Sequence, residues 1–385
     1  MELEFSTNHF ICRAMEKTGL EDFGGRTFEE GLGALIHSLN HDIDLNEGSA
    51  AYFHNQILQL LINRLEVVQL IKKYPEIREE RIEKPIFIVG LPRSGTTIVH
   101  TLMALDPTSR YLRNFESIGP ICPPPELIPD SVDPRIQACH EGMDKIFSMA
   151  PVLRGINGIN FMANGTAECQ NLMAHEFIHM GWSLGASLFS HGNWVSECNM
   201  KTAFQWHRRL LQVLQWKLPN ERWVLKAPMH LFGLEHLMKT YPDAKIVFTH
   251  RNPFDAIVSG VSMVYHWTRF ATGQADIKTI ADWYSKLWAK GLQRGLKAIK
   301  TFDANQILDI FHHELSESPV NIIGSIYDRF DMPLSKAVIN RMQTWLRDNP
   351  RSKFGRHDHT TSVKEHLNPA KLRERFRFYC DRFDL

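Results

Sequence analysis

Cysteines are few in this sequence, and none stands in a spacing typical of a metal site or a redox motif. The 385 residues contain six, with no CxxC pair among them: Cys12, Cys122, Cys139, Cys169, Cys198 and Cys380. This scatter argues against a disulfide scaffold and against a cysteine zinc site. The first ten residues include acidic side chains and no apolar stretch, so no secretory signal is predicted. We therefore expect a reduced, cytoplasmic setting.

Long apolar runs and an excess of one charge are also missing. No stretch of about 18 uncharged apolar residues occurs, so we predict no membrane span. The 44 lysines and arginines nearly balance the 43 aspartates and glutamates. A balanced chain has no overall field that would attract nucleic acid or an anionic membrane. We therefore expect any anionic ligand to be held by local clusters of positive side chains.

Short continuous apolar runs predict the strands of a parallel sheet. Four runs fit this pattern, the last more weakly: residues 85–90, 223–226, 245–249 and 306–311. Helical patterns lie between them, at residues 96–105, 231–240, 254–264 and 280–301. Strands that alternate with helices predict an α/β fold, with a doubly wound parallel sheet flanked by helices.

Two long segments lie outside this alternation. Residues 1–84 are predicted to form a helical N-terminal segment packed on the core, because residues 50–74 have helical apolar spacing and Pro75 ends the pattern. Residues 106–222 separate two predicted core strands, begin rich in proline and continue with helices rich in Met, His and Trp. We interpret them as a lid and acceptor-binding insertion within an α/β domain that covers residues 85–385.

The first strand leads into a glycine-bounded turn and a helix N-terminus, a combination that favours an anion site. Backbone N–H groups converge there, and the helix dipole adds partial positive charge. Gly90 and Gly95 have the G-x-x-x-x-G spacing of a P-loop, but Thr96 stands where a nucleotide triphosphatase has lysine. Arg93, inside the loop, supplies the positive charge instead. We therefore predict a P-loop-type sheet whose loop cradles phosphate.

The usual magnesium ligands of a P-loop are missing. The strand that could carry a Walker B aspartate ends in Thr249-His250-Arg251. Phosphoryl transfer normally needs Mg²⁺ to neutralise the charge that develops. A sulfonyl group carries less charge, so arginine and lysine suffice for its transfer. The loop therefore favours a metal-free sulfonyl donor.

A second anion site is predicted where the strand 245–249 ends. Arg251 lies at the carboxyl end of that strand, where ligands bind in open α/β sheets, and a guanidinium can hold a phosphate with two hydrogen bonds. Ser259, about two helical turns after Asn252, could add a hydroxyl donor. Two separate anion sites fit a donor nucleotide that has phosphates at two positions.

These motifs resemble those of the PAPS-dependent sulfotransferases. Residues 86–105 are similar to the 5′-phosphosulfate loop in its Pro-Arg-Ser-Gly-Thr-Thr form, which occurs in bacterial-type and tyrosylprotein sulfotransferases. Residues 223–231 resemble the family's Lys-Ser-Pro strand end, with Ala227 in place of the serine. Residues 248–262 resemble the 3′-phosphate motif, and residues 326–335 resemble a late helix and loop of the family. The resemblance runs from residue 85 to the end, and the first 84 residues match only loosely.

The resemblance implies PAPS as donor, PAP as product and no metal. It implies donor contacts from the loop, the second anion site and the basic segment 353–360: Pro92, Arg93, Ser94, Gly95, Thr96, Thr97, Arg251, Ser259 and Arg356. Arg93 and Lys226 would stabilise the charge that is transferred, and Glu116, 23 residues after Arg93, would be the general base.

Histidine is a rival to Glu116, because many cytosolic-type sulfotransferases use histidine as the base. His175 and His179 in the insertion are the main rivals. Glu168, where the bacterial-type family often has Glu-Glu-Cys, is given a secondary role in orienting the lid or the acceptor.

One motif points to a different activity. His175-Glu176-Phe177-Ile178-His179 matches the H-E-x-x-H pattern of zinc peptidases, and on a helix both imidazoles would share a face. The metzincin extension is absent, because Trp182 stands where it requires glycine. A zinc peptidase would also leave both anion sites unexplained. Two further hypotheses are an atypical P-loop kinase and an inactive nucleotide-binding module.

The acceptor is expected to be a small molecule with a hydroxyl or amine. Aromatic and methionine side chains of the insertion either form an apolar or aromatic pocket for it or pack the lid: Phe161, Met162, Met173, Phe177, Trp182, Phe189 and Trp194. No nucleic-acid partner is expected. Whether the chain forms a homo-oligomer is left open by the sequence.

Overall fold

The computed structural model describes residues 5–128, 130–157, 162–218, 222–350 and 361–385. The strands are β1 (Ile86–Gly90), β2 (Ser109–Tyr111), β3 (Arg222–Lys226), β4 (Lys245–His250) and β5 (Ile307–Phe311). The helices before β3 are α1 (Thr7–Thr18), α2 (Phe28–His41), α3 (Glu47–Lys73), α4 (Thr96–Met103), α5 (Asn114–Ile118), α6 (Pro134–Met149), α7 (Pro151–Asn157), α8 (Gln170–Met173), α9 (Met180–Ala186), α10 (Phe189–Glu197) and α11 (Lys201–Gln215). Those after it are α12 (Leu234–Thr240), α13 (Pro253–Thr272), α14 (Ile277–Ile299), α15 (His312–Glu317), α16 (Pro319–Arg329), α17 (Lys336–Asp348), α18 (Thr361–His366) and α19 (Pro369–Phe383).

The five strands form one parallel sheet in the order β2-β3-β1-β4-β5. Ile88 of β1 lies opposite Lys226 of β3, and Gly90 lies opposite Thr249 of β4. Because the strands are parallel, their carboxyl ends meet at one edge of the sheet. The predicted α/β fold with a parallel sheet flanked by helices is confirmed.

Both faces of the sheet are covered, which explains why the central strands have no polar alternation. Ile86 and Ile88 point into a cluster with α4, α16 and α17, while Phe87 and Val89 point into a larger cluster with α11, α13 and α14. All five residues of β1 are buried. A continuous apolar run is what a strand needs when it is packed on both sides.

The sequence pattern missed the edge strand β2. Its three residues, Ser109, Arg110 and Tyr111, are only half-buried and form no apolar run. The predicted insertion 106–222 therefore begins with an edge strand of the sheet, and its last residue is the first of β3.

The helix after β4 is also longer than predicted. It begins at Pro253, with the Asn252 side chain accepting a hydrogen bond from the Phe254 N–H, and continues to Thr272.

The first three helices pack mainly on the insertion. A separate apolar cluster joins Phe10 and Leu61 of these helices to Phe177 and Trp182 of the insertion. The second half of α3 also reaches the main core, through Val67 among others. None of the described helices, the 27-residue α3 included, has the length and apolarity to cross a membrane.

A buried ion pair lies where α3 meets the insertion. Nη1 of Arg64 donates to the Glu176 carboxylate at 2.7 Å and to the His175 carbonyl at 2.5 Å, and both side chains of the ion pair are at most 1 % exposed. The guanidinium lies 3.9 Å from the ring centroid of Trp206. Burial lowers the pKa of Arg64 to about 10, and the charge of Glu176 opposes that shift. Each buried charge is therefore stabilised by the other, and removing one would leave its partner uncompensated in the interior.

We expect the substitution Glu176→Gln to lower the free energy of unfolding by about 3–5 kcal/mol, because it leaves the Arg64 charge buried without a counter-ion. Lys72→Gln is the matched control. It breaks the Lys72–Asp22 pair, whose side chains are both about half exposed, and should cost about 0–1 kcal/mol. Urea unfolding of both variants measures the difference. A loss below about 1 kcal/mol for Glu176→Gln would contradict a stabilising role for the pair.

Candidate functional site

The loop after β1 is held against the end of β4 by close backbone packing. Gly90 has a φ of 144°, and a Cβ at this position would lie 2.5 Å from the Thr249 carbonyl oxygen. Gly95, with a φ of 98°, caps α4, and a Cβ there would lie 2.8 Å from Leu315. Both positions need glycine, because a side chain has no room and the φ is one that other residues rarely adopt. The sequence spacing of the two glycines thus reflects a real steric requirement.

The side chain of Ser94 faces the interior and not the open side of the loop. Its hydroxyl donates to the Leu91 carbonyl at 2.6 Å and lies 2.6 Å from Oγ1 of Thr249. Ser94 is fully buried. The predicted contact of the Ser94 hydroxyl with a donor is therefore not supported, and the hydroxyl instead fixes the loop to β4. Thr96 and Thr97 form the first turn of α4, as the phosphate-loop pattern predicts.

Three predicted donor-binding residues meet at this loop. Nε of Arg93 donates to Oγ of Ser259 at 3.0 Å, and Nη1 of Arg251 donates to the Arg93 carbonyl at 2.7 Å. Arg93 has a positive φ of 69°, a conformation rare for a residue with a side chain. Burial lowers the pKa of the Arg93 guanidinium, and the Arg251 charge lowers it further. Two like charges held together in this way favour binding of an anion.

The predicted catalytic lysine has a carboxylate partner. Lys226 ends β3, next to β1, and its Nζ forms an ion pair with Oε1 of Glu168. Nε2 of Gln170 donates to the other oxygen of Glu168 at 2.6 Å, and the Cys169 N–H donates to the Lys226 carbonyl at 2.9 Å. The Lys226 side chain is 2 % exposed and the Glu168 side chain 29 %. At the carboxyl edge of the sheet, Glu168 therefore pairs with a buried lysine while its own side chain stays partly exposed to solvent.

Tyr284 of α14 belongs to this region, although no sequence motif singles it out. Its hydroxyl packs against the α13 backbone at Gly260, next to Ser259. Burial raises the pKa of the Tyr284 phenol, and the Arg93 charge opposes that shift. Helical spacing predicts only a core position for Tyr284, because its partners belong to distant parts of the chain.

Glu116, the predicted base, is enclosed by arginines. Its carboxylate forms ion pairs with Arg110 and Arg113 and accepts a hydrogen bond from the Arg113 N–H at 3.1 Å, and the residue is fully buried. Burial by itself would raise the pKa of Glu116, but the two guanidinium groups outweigh it and hold the pKa below its ordinary value. A buried carboxylate with a lowered pKa is a poor proton acceptor. The structure therefore argues against Glu116 as the base.

Glu116 instead fixes the start of the insertion. It completes a capping box with Arg113 at the N-terminus of α5. Just before that helix, the Leu112 carbonyl accepts a hydrogen bond from the Ala167 N–H at 2.7 Å. This pairing places Glu168 beside the sheet, so Glu116 supports the position of Glu168 from a distance.

The H-E-x-x-H segment is not one helix. A 3-10 turn ends at Glu176, Phe177 has a positive φ of 54°, and α9 begins after His179, which caps it. The Glu176 carboxylate forms an ion pair with Arg64. Within the described parts of the chain, no group of three or more His, Cys, Asp or Glu side chains is arranged to hold a metal ion. The helical geometry of a zinc peptidase is therefore not formed here.

Neither histidine of that segment is placed to act as the base. Nδ1 of His175 lies 3.0 Å from the Leu172 carbonyl, and His175 is fully buried. His179 accepts a hydrogen bond from the Trp182 N–H and lies 3.0 Å from Oδ1 of Asn171. Burial lowers the pKa of both imidazoles to about 3. The packing of His175 therefore does not favour the catalytic role predicted for it.

The aromatic residues of the insertion mostly fill the core. Met173, Phe177 and Trp182 are buried, whereas Met162 is 53 % exposed. Phe189 and Trp194 are partly buried against the main core. Phe161 and Arg356, which were predicted to contact acceptor and donor, lie outside the described residues. Apart from the exposed Met162, the described residues of this set therefore favour the alternative that they pack the lid.

Comparison with known proteins places this site in context. A model of the sulfotransferase family matches residues 85–336. Sulfotransferase STF9 from Mycobacterium avium is similar in structure, with a TM-score of 0.86 and 24 % identity over 100 % of this chain and 98 % of that one. Sulfotransferase STF1 from Mycobacterium tuberculosis H37Rv has a TM-score of 0.81 and 27 % identity over 96 % and 98 %. No curated protein matches the sequence.

The lowered pKa of Glu116 predicts how its contribution to stability depends on pH. A carboxylate with a pKa lowered by folding stabilises the protein above its unfolded pKa of about 4.5, and this stabilisation is lost as the pH falls through the folded pKa. We expect Glu116→Gln to be less stable than the unsubstituted protein at pH 7, and the gap to narrow below about pH 4.5. Urea unfolding from pH 7 to pH 4 measures it. A gap that stays constant would contradict the charged state of Glu116.

Proposed function

The chain belongs to the sulfotransferase family, and from that membership we propose that it transfers a sulfonate group from PAPS to a hydroxyl or amine of a small-molecule acceptor. The observation that carries the proposal is the meeting of Arg93, Arg251 and Ser259 at the loop after β1. This arrangement puts two guanidinium groups beside a glycine-bounded loop and a helix N-terminus. Backbone N–H groups, a helix dipole and arginines are the features that bind phosphate.

We assign the 5′-phosphosulfate of the donor to the loop and its 3′-phosphate to Arg251 and Ser259. Thr96 and Thr97 open α4 at the loop and are the residues whose N–H groups would face the phosphosulfate. Pro92, Gly95 and the Arg93 guanidinium complete this part of the donor site. Arg356 stays a prediction for the adenosine end.

We propose Glu168, and not Glu116, as the general base. Glu168 is partly exposed and paired with Lys226, so an acceptor can reach it beside the group that would hold the sulfonyl charge. Glu116 is fully buried between two arginines and is out of reach of an acceptor. The secondary role predicted for Glu168 therefore becomes the main one.

The proposed transfer follows from these positions. The acceptor O–H or N–H bond breaks, its proton passes to Glu168, and the acceptor atom forms a bond to sulfur. The bond between sulfur and the 5′-phosphate oxygen breaks, and its electron pair stays on that oxygen as PAP is formed. Arg93 and Lys226 stabilise the negative charge on the sulfonyl and bridging oxygens. Positioning and fixed positive charge thus supply the catalysis.

The acceptor is proposed to be apolar in part. Helices α6 and α7 cover α13, with Phe147 and Leu153 packed beside Trp267. Among the described residues, four of the five exposed large apolar side chains lie between residues 127 and 162: Leu127, Val132, Met149 and Met162. We propose that this segment contributes the apolar part of the acceptor site, since exposed apolar surface serves for interaction when it is contiguous. We also propose a cytoplasmic location, which agrees with six cysteines that form no disulfide among the described residues.

Calorimetric titration with PAP, with and without Mg²⁺, tests the donor assignment. We expect PAP to bind equally well in both conditions. Arg251→Gln should weaken binding about tenfold or more, because a hydrogen bond to a charged group contributes about 1.5–3 kcal/mol. Arg347→Gln, on the exposed surface of α17, should leave PAP affinity unchanged. No PAP binding, or binding that requires Mg²⁺, would contradict the proposal and favour an atypical kinase.

Steady-state kinetics, with an acceptor found by screening with labelled PAPS, test the base. We expect Glu168→Gln to lower kcat by a factor of about 10²–10⁴ while the affinity for PAP changes little. Glu116→Gln should keep most of its kcat at a temperature where it is folded. Glu197→Gln is the matched control, since Glu197 also pairs with a lysine but at the surface. A kcat that survives Glu168→Gln and is lost with Glu116→Gln would return the role of base to Glu116.

A further inference from the structure

A groove of about 790 Å³ lies on the outer surface between α11, α12 and the end of α3. Six of its lining side chains are basic: Arg78, Lys201, Arg208, Arg209, His236 and Lys239. No described aspartate or glutamate lines it, although acidic and basic residues are balanced in the chain as a whole. None of the described residues of the proposed donor site lines the groove either. It is therefore a local concentration of positive charge apart from that site.

Five of the six basic side chains of the groove lack counter-ions in the part of the chain that the structure describes. There, Arg78, Lys201, Arg208, Arg209 and Lys239 form no ion pair with a carboxylate. Glu176 and Asp22 are the carboxylates whose charges oppose the lowering of the pKa of Arg209. Glu176 is paired with Arg64, and Asp22 with Lys72. The charges of these two carboxylates are thus already balanced. Among the described groove residues, the basic side chain with its own carboxylate partner is His236, whose Nε2 lies 3.4 Å from Glu235.

Like charges influence one another across the groove. Burial lowers the pKa of Arg209, and the Arg78 charge lowers it further. Burial also lowers the pKa of His236, opposed by Glu235 and reinforced by Lys239 and other nearby cations. The basic groups are therefore close enough to repel each other. An anion bound between them would relieve that repulsion.

The groove wall is one face of α11. Lys201, Gln205, Arg208 and Gln212 recur at helical spacing along it, while Leu210, on the other side of the helix, is buried. Gln212 is fixed in place, because its Nε2 donates to backbone carbonyls of Arg78 and Glu80 at 3.1 and 2.9 Å. Amide side chains alternate with charges, so the wall offers several hydrogen-bond donors at defined positions. Such a wall suits phosphate or sulfate oxygens.

We propose that this groove binds a small polyanion that carries two or more phosphate or sulfate groups. Its volume is in the range of small-molecule sites. Among the residues with described positions, no phenylalanine, tyrosine or tryptophan lines it, so it offers no platform for stacking a nucleobase. The ligand it fits is a condensed phosphate or a phosphorylated or sulfated sugar, and not the adenine nucleotide expected at the loop after β1.

Isothermal titration of the full chain with inorganic tripolyphosphate, in saturating PAP, tests the proposal. We expect one site, with an affinity that falls as salt is raised. The double variant Arg208→Gln/Lys239→Gln should weaken binding about tenfold or more. Its PAP affinity should stay unchanged, because neither residue lies at the donor site. If PAP itself fails to bind, the same titration without PAP still tests the groove.

Lys278→Gln/Lys336→Gln is the matched control, since it removes two exposed positive charges from α14 and α17, away from the groove. It should bind tripolyphosphate as the unsubstituted protein does. An equal loss in both double variants would overturn the proposal, since only net charge would then matter. Absence of tripolyphosphate binding would also overturn it. An acidic hexapeptide that binds more tightly than tripolyphosphate would overturn it as well, and would identify the groove as a protein-docking surface.

Discussion

The close approach of Gly90 to Thr249 is the contact on which the candidate site depends. The parallel register of β1 and β4 sets these residues opposite each other, and the absence of a Cβ lets the chain turn there. The Ser94 hydroxyl then joins the loop to Thr249. Since Arg251 follows Thr249 by two residues, the same contact brings its guanidinium to the Arg93 carbonyl. One steric constraint thus brings together two proposed donor-binding elements that are far apart in sequence.

The insertion, which we propose supplies the acceptor side of the site, is held by polar contacts. Pairing of Leu112 with Ala167 sets one part of it beside the sheet, and the Lys226–Glu168 pair fastens it to the carboxyl end of β3. Glu116 is part of the support for this arrangement. A carboxylate between two guanidinium groups gains stability only while it is charged, which suits a fixed structural role better than proton transfer.

The N-terminal helices stabilise the insertion from its outer side. Arg64 forms an ion pair with Glu176 within an apolar cluster. Glu176 therefore has a structural partner, although the histidine-rich motif to which it belongs resembles that of a zinc site. Of the two histidines of that motif, His175 is buried and His179 is partly buried, and the backbone turns between them. The basic groove lies on the outer face of α11, in the same layer of helices. The apolar core contacts of α11 and the proposed polyanion site therefore occupy opposite faces of one helix.

The sequence by itself determined the parallel sheet, the phosphate loop and the position of Arg251, because apolar runs, glycine spacing and strand ends are local features. It could not determine β2, whose half-buried residues form no pattern. It predicted Glu116 as the base, with histidines as rivals, and gave Glu168 only a secondary role, because a local pattern shows neither burial nor charge partners. Only the tertiary structure decided that two arginines enclose Glu116 and that Lys226 pairs with Glu168. Burial and charge partners come from residues distant in sequence, and they set what a carboxylate can do.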